Sequence, residues 1–145
     1  MKRFIVLLAL LLGSFNCNAA LNEVHNRLNS SVLVQPNCSV GAAILSQAIT
    51  TNGSWVQIDF DILIGLQGGS FSGWNYKLYR DSTLIFDSSR GGLFAFNTSQ
   101  TTVTWMYHDL PSTGAHTYHL SVCTVSGTVT VWPGTAIGIW ELKTD

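Results

Sequence analysis

Along most of this chain apolar residues recur at every second position. Between residues 55 and 66, Val56, Ile58, Phe60, Ile62, Ile64 and Leu66 share one parity, while Gln57, Asp59 and Asp61 share the other. A period of two puts alternate side chains on opposite faces of an extended strand, so this stretch predicts a long, half-buried β-strand with Asp59 and Asp61 facing outward. An apolar segment over 41–49 precedes it. The join at Thr51-Asn52-Gly53-Ser54 contains Asn-Gly, a pair that supplies the positive φ of a tight turn, and the two strands are expected to pair antiparallel. A further hairpin is read over 75–86, turning at Arg80-Asp81-Ser82. Short strands follow over 93–96, 102–108, 116–125, 128–132 and 135–142, punctuated by Gly68-Gly69, Gly91-Gly92, Pro111, Gly114, Ser126-Gly127 and Pro133-Gly134. Nine or ten strands with regular turn signals predict an all-β protein, an antiparallel β-sandwich of the jelly-roll kind.

The end of the chain, over 114–143, has almost no charge and reads as three consecutive strands, two of them apolar on both faces. In the last, Ala136, Gly138, Trp140 and Leu142 lie on one face and Ile137 and Ile139 on the other, so either choice of core face leaves apolar groups outside. Exposed patches of that kind mark interfaces. Ile137, Ile139, Trp140 and Leu142 are therefore candidate subunit contacts. The alternative is a central strand covered by the chain's own loops.

Lys2 and Arg3 precede an apolar run over 4–12, with Cys17, Ala19 and Ala20 after it, the layout of a secretory signal peptide cleaved between Ala19 and Ala20. The run is too short to span a bilayer, and Phe15 and Asn16 stand where a lipoprotein signal wants small residues. Residues 20–145 then form a single domain, secreted, periplasmic or at the cell surface. That domain keeps five basic against eight acidic residues, a balance that gives no electrostatic footprint for nucleic acid. Charged residues are only 10% of the chain, far below the ~25% usual for soluble domains. The surface is thus covered by small polar residues, buried in an assembly, or both.

Without Cys17, two cysteines remain, Cys38 and Cys123. An even pair in an oxidising compartment predicts a disulfide, worth about 4 to 5 kcal/mol in the chain-entropy model for so long a loop; two free thiols are the alternative. Two isolated cysteines without clustered histidines do not make a metal site, and no cofactor is expected.

The runs Gly114-Ala115-His116-Thr117-Tyr118-His119-Leu120, Ser126-Gly127-Thr128-Val129-Thr130-Val131 and Ile137-Gly138-Ile139-Trp140-Glu141-Leu142 resemble the closing strands of bacterial and phage jelly-roll modules. Those modules are similar in architecture to the C1q and tumour-necrosis-factor group. The resemblance implies a homotrimer that presents loops for binding. The chain has neither a collagen-like Gly-X-Y stalk nor an acidic cluster that matches a calcium site of that group, and fold alone does not fix a ligand.

Catalytic constellations are weak. Asp59 and Asp61, about 7 Å apart by strand geometry, could serve a glycosidase or a shared calcium ion, or simply form a solvated face. His108, Asp109, His116 and His119 lack any HExxH or GxSxG context, and His116 and His119 point to opposite faces of one strand. Aromatic residues make the better binding argument. Trp74-Asn75-Tyr76 and Trp132 lie beside Gly- or Pro-containing turns, where flat rings flanked by amides suit sugar faces; capping of the sandwich ends is the competing role. Asn29, Asn37, Asn52 and Asn97 head Asn-x-Ser/Thr sequons. The expectation is a noncatalytic recognition or attachment module for a glycan or cell-surface ligand. A structural subunit of an extracellular fibre and a glycan hydrolase are the alternatives.

Overall fold

The computed structural model describes residues 22–35, 38, 42–66, 73–91 and 100–142. Ten strands run in chain order: β1 (Asn22–Arg27), β2 (Val32–Val34), β3 (Ala42–Asn52), β4 (Val56–Leu66), β5 (Trp74–Arg80), β6 (Thr83–Asp87), β7 (Gln100–Asp109), β8 (Thr113–Thr124), β9 (Val129–Val131) and β10 (Ala136–Glu141). All pairings between them are antiparallel. One sheet has the order β1-β10-β4 with β9-β2 continuing alongside and β7 on the far edge of β4; the other is β3-β8-β5-β6. The expected antiparallel β-sandwich is thereby present. The strand expected over 93–96, the turn at Gly68-Gly69, the signal segment, Asn37 and Asn97 lie outside the described residues. No helix among the described residues is long and apolar enough to cross a membrane.

The core is built by the predicted alternation. Val56, Ile58, Phe60, Ile62 and Ile64 of β4 meet Trp74, Tyr76 and Leu78 of β5 and Tyr118, Leu120 and Val122 of β8 in one buried cluster. Phe60 meets Tyr76 edge-on at 5.2 Å, and Phe86 stacks on the other side of that tyrosine at 5.6 Å.

The expected β3–β4 hairpin does not form. Gly53 does supply a turn, at φ +83°, but β3 pairs with β8 and β4 with β7, β9 and β10, so the chain crosses from one sheet to the other. Alternation fixes which face of a strand is buried and leaves its hydrogen-bonded neighbour open. β9 and β10 both lie against the same edge of β4, with four residues, 132–135, standing opposite only Ile62 and Leu63. The Thr135 side chain fills the break: the Leu63 N–H donates to Thr135 Oγ1 at 3.0 Å, and the Trp132 N–H donates to the Leu63 carbonyl at 2.8 Å.

β1 was not expected from the sequence, and it closes the sandwich beside β3. The Asn22 and Asn26 amides donate to the Thr50 and Ser46 carbonyls at 3.0 and 2.9 Å, and Gln47 donates to the Ala48 carbonyl at 3.0 Å. Three carbonyls of the β3 edge are thus capped by side-chain amides. The buried Glu141 carboxylate accepts from the Asn22 amide at 2.9 Å and from the Asn52 N–H. A disulfide joins Cys38 to Cys123 on β8, as expected.

Candidate functional site

The outer face of the first sheet carries a hollow whose shape follows from strand register. Across β1, β10 and β4 the outward residues fall in rows: Glu23, Trp140 and Gln57; His25, Gly138 and Asp59; Arg27, Ala136 and Asp61. The middle strand has only Gly and Ala in the last two rows, so the floor sinks between taller walls. The result is an open groove of about 340 Å³, bordered by His25 and Arg27 on one side, Asp59 and Asp61 on the other, and Trp140 at one end. Two strand spacings put the walls about 10 Å apart.

The indole of Trp140 is held in place from three sides. A Cβ on Gly138 would stand 2.9 Å from Trp140 Cζ3 and 2.8 Å from His25 Nδ1, so only glycine leaves room for the two rings to lie this close to the strand. His25 meets the indole edge-to-face, with centroids 5.0 Å apart at 78°. Glu23 is hydrogen-bonded to His25 Nε2 at 2.6 Å and also to the Trp140 side chain; these bonds, His25 first, hold its carboxyl below the usual carboxylate range.

On the opposite wall, Gln57 Nε2 donates to both oxygens of Asp59 at 3.2 and 3.1 Å, and the Thr104 hydroxyl donates to Asp61 at 2.6 Å. Both carboxylates face outward, as the alternation predicts. The groove therefore offers acceptors on one wall, the Arg27 guanidinium and His25 on the other, and an aromatic ring at the end. Hydroxyl groups can both donate and accept, and a saturated ring can pack against the indole.

The sequence-based ligand residues are placed differently. Trp74 and Tyr76 are fully buried in the core cluster, where Tyr76 meets Phe60 of the facing sheet, and Asn75, which alternates with them, is 4% exposed. They are core residues and offer no face to a ligand. Burial alone pushes the Tyr76 phenol up to about 12. Trp132 is half-buried in the break between β9 and β10. Of the candidate subunit contacts, Ile137 and Ile139 are fully buried in the core, while Trp140 and Leu142 are half-buried; Trp140 lies on the outer face. The histidines are dispersed: His116 binds Asp81, His119 binds Ser46 and His108 lies opposite Gln57. Asp109 accepts from Arg80 and Tyr118 at 2.6 and 2.8 Å. No group of three metal-ligating side chains exists among the described residues. His25 and Arg27 were missed with β1. Their signal was the alternation of Glu23, His25 and Arg27 with Val24, Asn26 and Leu28, faint because only two of the six are apolar.

No protein-family model matches the sequence, nor does any curated protein. Among solved structures, dimeric latent PorU of Porphyromonas gingivalis is similar over 86% of this chain and 13% of its own, at 9% identity and a TM-score of 0.49. The sugar-binding C-terminal domain of EclA is similar over 90% of this chain and 82% of its own, at 16% identity and a TM-score of 0.38. VP2 of infectious bursal disease virus is similar over 86% and 37%, at 7% identity and a TM-score of 0.47. The chain thus spans about an eighth of the first of these proteins and over a third of the last.

Proposed function

We propose that this protein is a secreted, noncatalytic recognition module that binds a glycan in the groove on its outer sheet face. The observation that carries the reading is the Trp140 indole fixed beside Gly138 at the end of a groove with acceptors on one wall and donors on the other. A flat ring already immobilised loses little freedom on binding, and hydroxyls bridging a carboxylate and a guanidinium satisfy both. Export is part of the reading: the leader-like segment over 1–19 is taken as a cleaved signal ahead of one domain, and the disulfide suits an oxidising compartment. Hydrolysis fits less well. The two carboxyl groups of a glycosidase flank the scissile bond, whereas Asp59 and Asp61 share one wall and one strand.

Binding of the purified mature protein to a glycan array, followed by titration of the best ligand, tests the reading. Trp140→Ala is expected to weaken binding at least tenfold with the fold retained; unchanged affinity in that variant would remove the groove as the site.

Self-association, expected as a homotrimer, is a second reading. Trp55 (46% exposed) and Leu110 (53%) flank the β4–β7 ladder end, next to half-buried Leu142, whose N–H donates to the Trp55 carbonyl at 2.7 Å. This apolar band lies beyond the Trp140 end of the groove. A strict monomer at micromolar concentration in sedimentation overturns it.

A further inference from the structure

The charges around the groove do not balance. Asp59 and Asp61 both border it, and their hydrogen-bond partners, the Gln57 amide and the Thr104 hydroxyl, are neutral. Neither carboxylate has a cation within ion-pair distance among the described residues. Arg27 stands across β10, and its guanidinium has no partner among the described residues either. Glu23 and His25 are hydrogen-bonded to one another at 2.6 Å. Two carboxylates therefore face one guanidinium across a floor of glycine and alanine.

On a flat sheet such a pair would only be solvated. Here the indole lies over Gly138, and the low floor beside it, at Ala136, lets a ligand descend between the walls while touching the indole. Contact with the carboxylate wall and contact with the indole favour the same chemistry. An aromatic face attracts a cation, and a charge-assisted hydrogen bond to a carboxylate is roughly twice as strong as a neutral one. One positive charge on the ligand brings the set of Asp59, Asp61 and Arg27 to neutrality.

Resting on the reading of the groove as a glycan site, we infer that it selects a sugar unit bearing a free primary amine. The sugar ring packs against Trp140, the ammonium sits between Asp59 and Asp61, and a ring or hydroxyl oxygen accepts from Arg27. Acetylation of the amine removes the charge that the carboxylates compensate. A carboxylated sugar would place a third negative charge in the groove.

The test is calorimetric titration of the mature protein, at about pH 6, with three oligosaccharides of equal length: glucosamine, N-acetylglucosamine and a uronate. The glucosamine oligomer is expected to bind at least tenfold more tightly than the acetylated one, with a preference that shrinks as salt is added. In the double variant Asp59→Asn, Asp61→Asn the ratio of the two affinities should fall to about one, whatever loss of binding the two oligomers share. Equal affinities, or tighter binding of the acetylated or uronate oligomer, overturn the amine inference and leave the glycan site standing. So does a double variant that keeps the full preference, since the amine is then held elsewhere. Failure of all three oligomers to bind overturns the amine inference, and failure across the glycan array as well overturns the glycan reading itself.

Discussion

His116 has an acceptor at each ring nitrogen: Asp81 Oδ2 lies 3.0 Å from Nδ1 and the Ser112 carbonyl 3.0 Å from Nε2. Both contacts are satisfied together only by the imidazolium. The hydrogen bond to Asp81 accordingly raises the His116 pKa above its ordinary value, against burial and the nearby Arg80, which lower it. A raised folded-state pKa contributes stability that is fully present below about 6.5 and lost as pH rises through the folded value. Asp81 works in the opposite sense. The His116 bond and the Thr117 N–H lower its pKa, so its contribution fades only in acid, as pH falls through that lowered value. Native protein should therefore exceed His116→Gln in urea midpoint near pH 5.5 and lose that margin by pH 8. With Asp81 half in solvent the margin is at most about 1 kcal/mol. A margin that does not change with pH would show the clamp to be uncharged. At this scale the sequence was partly legible. The outward direction of Asp59 and Asp61 follows from alternation alone. Trp74 and Tyr76 misled because nearness to a Gly-rich turn says nothing of depth, which the packing of the facing sheet decides.

The β1–β3 edge shows how a strand with few apolar residues is held. Asn26 spends its amide on one carbonyl of β3, while Asn22 serves both the Thr50 carbonyl and the buried Glu141 carboxylate. Asn26→Ala should cost about 0.5–1.5 kcal/mol, the net value of one hydrogen bond. Asn22→Ala should cost more, because it also strips a donor from a buried charge. Urea melts of the two variants give the ranking, and a reversed order would show that Glu141 is satisfied without Asn22. Uncapped carbonyls on β3 should also raise light scattering on prolonged incubation, since an open strand edge is a template for another chain. Eight of the ten strands were visible as periodic runs, and the two that were not, β1 and β2, are short or carry amides and charges where apolar residues were sought. Partnership was less legible than existence. The Asn52-Gly53 turn is real, yet it joins strands of different sheets, a choice set by where β8 and β10 lie far along the chain.

For the whole molecule, the disulfide from Cys38 to Cys123 ties residues 85 positions apart, linking the segment ahead of β3 to the end of β8. Closing so long a loop restricts the unfolded chain, and Cys38→Ser with Cys123→Ser should lower stability by as much as about 4 to 5 kcal/mol. A loss below about 1 kcal/mol would mean that the unfolded chain is compact without the bridge. The first sheet adds a constraint of timing. β10 lies between β1 and β4, so the earliest strand waits for the tenth before it gains its neighbour in the sheet, and β4, already paired with β7, waits for it to fill its second edge. Gly138 and Trp140 belong to that late strand. A chain cut short before Ala136 therefore has no floor to its groove and no ring at its end.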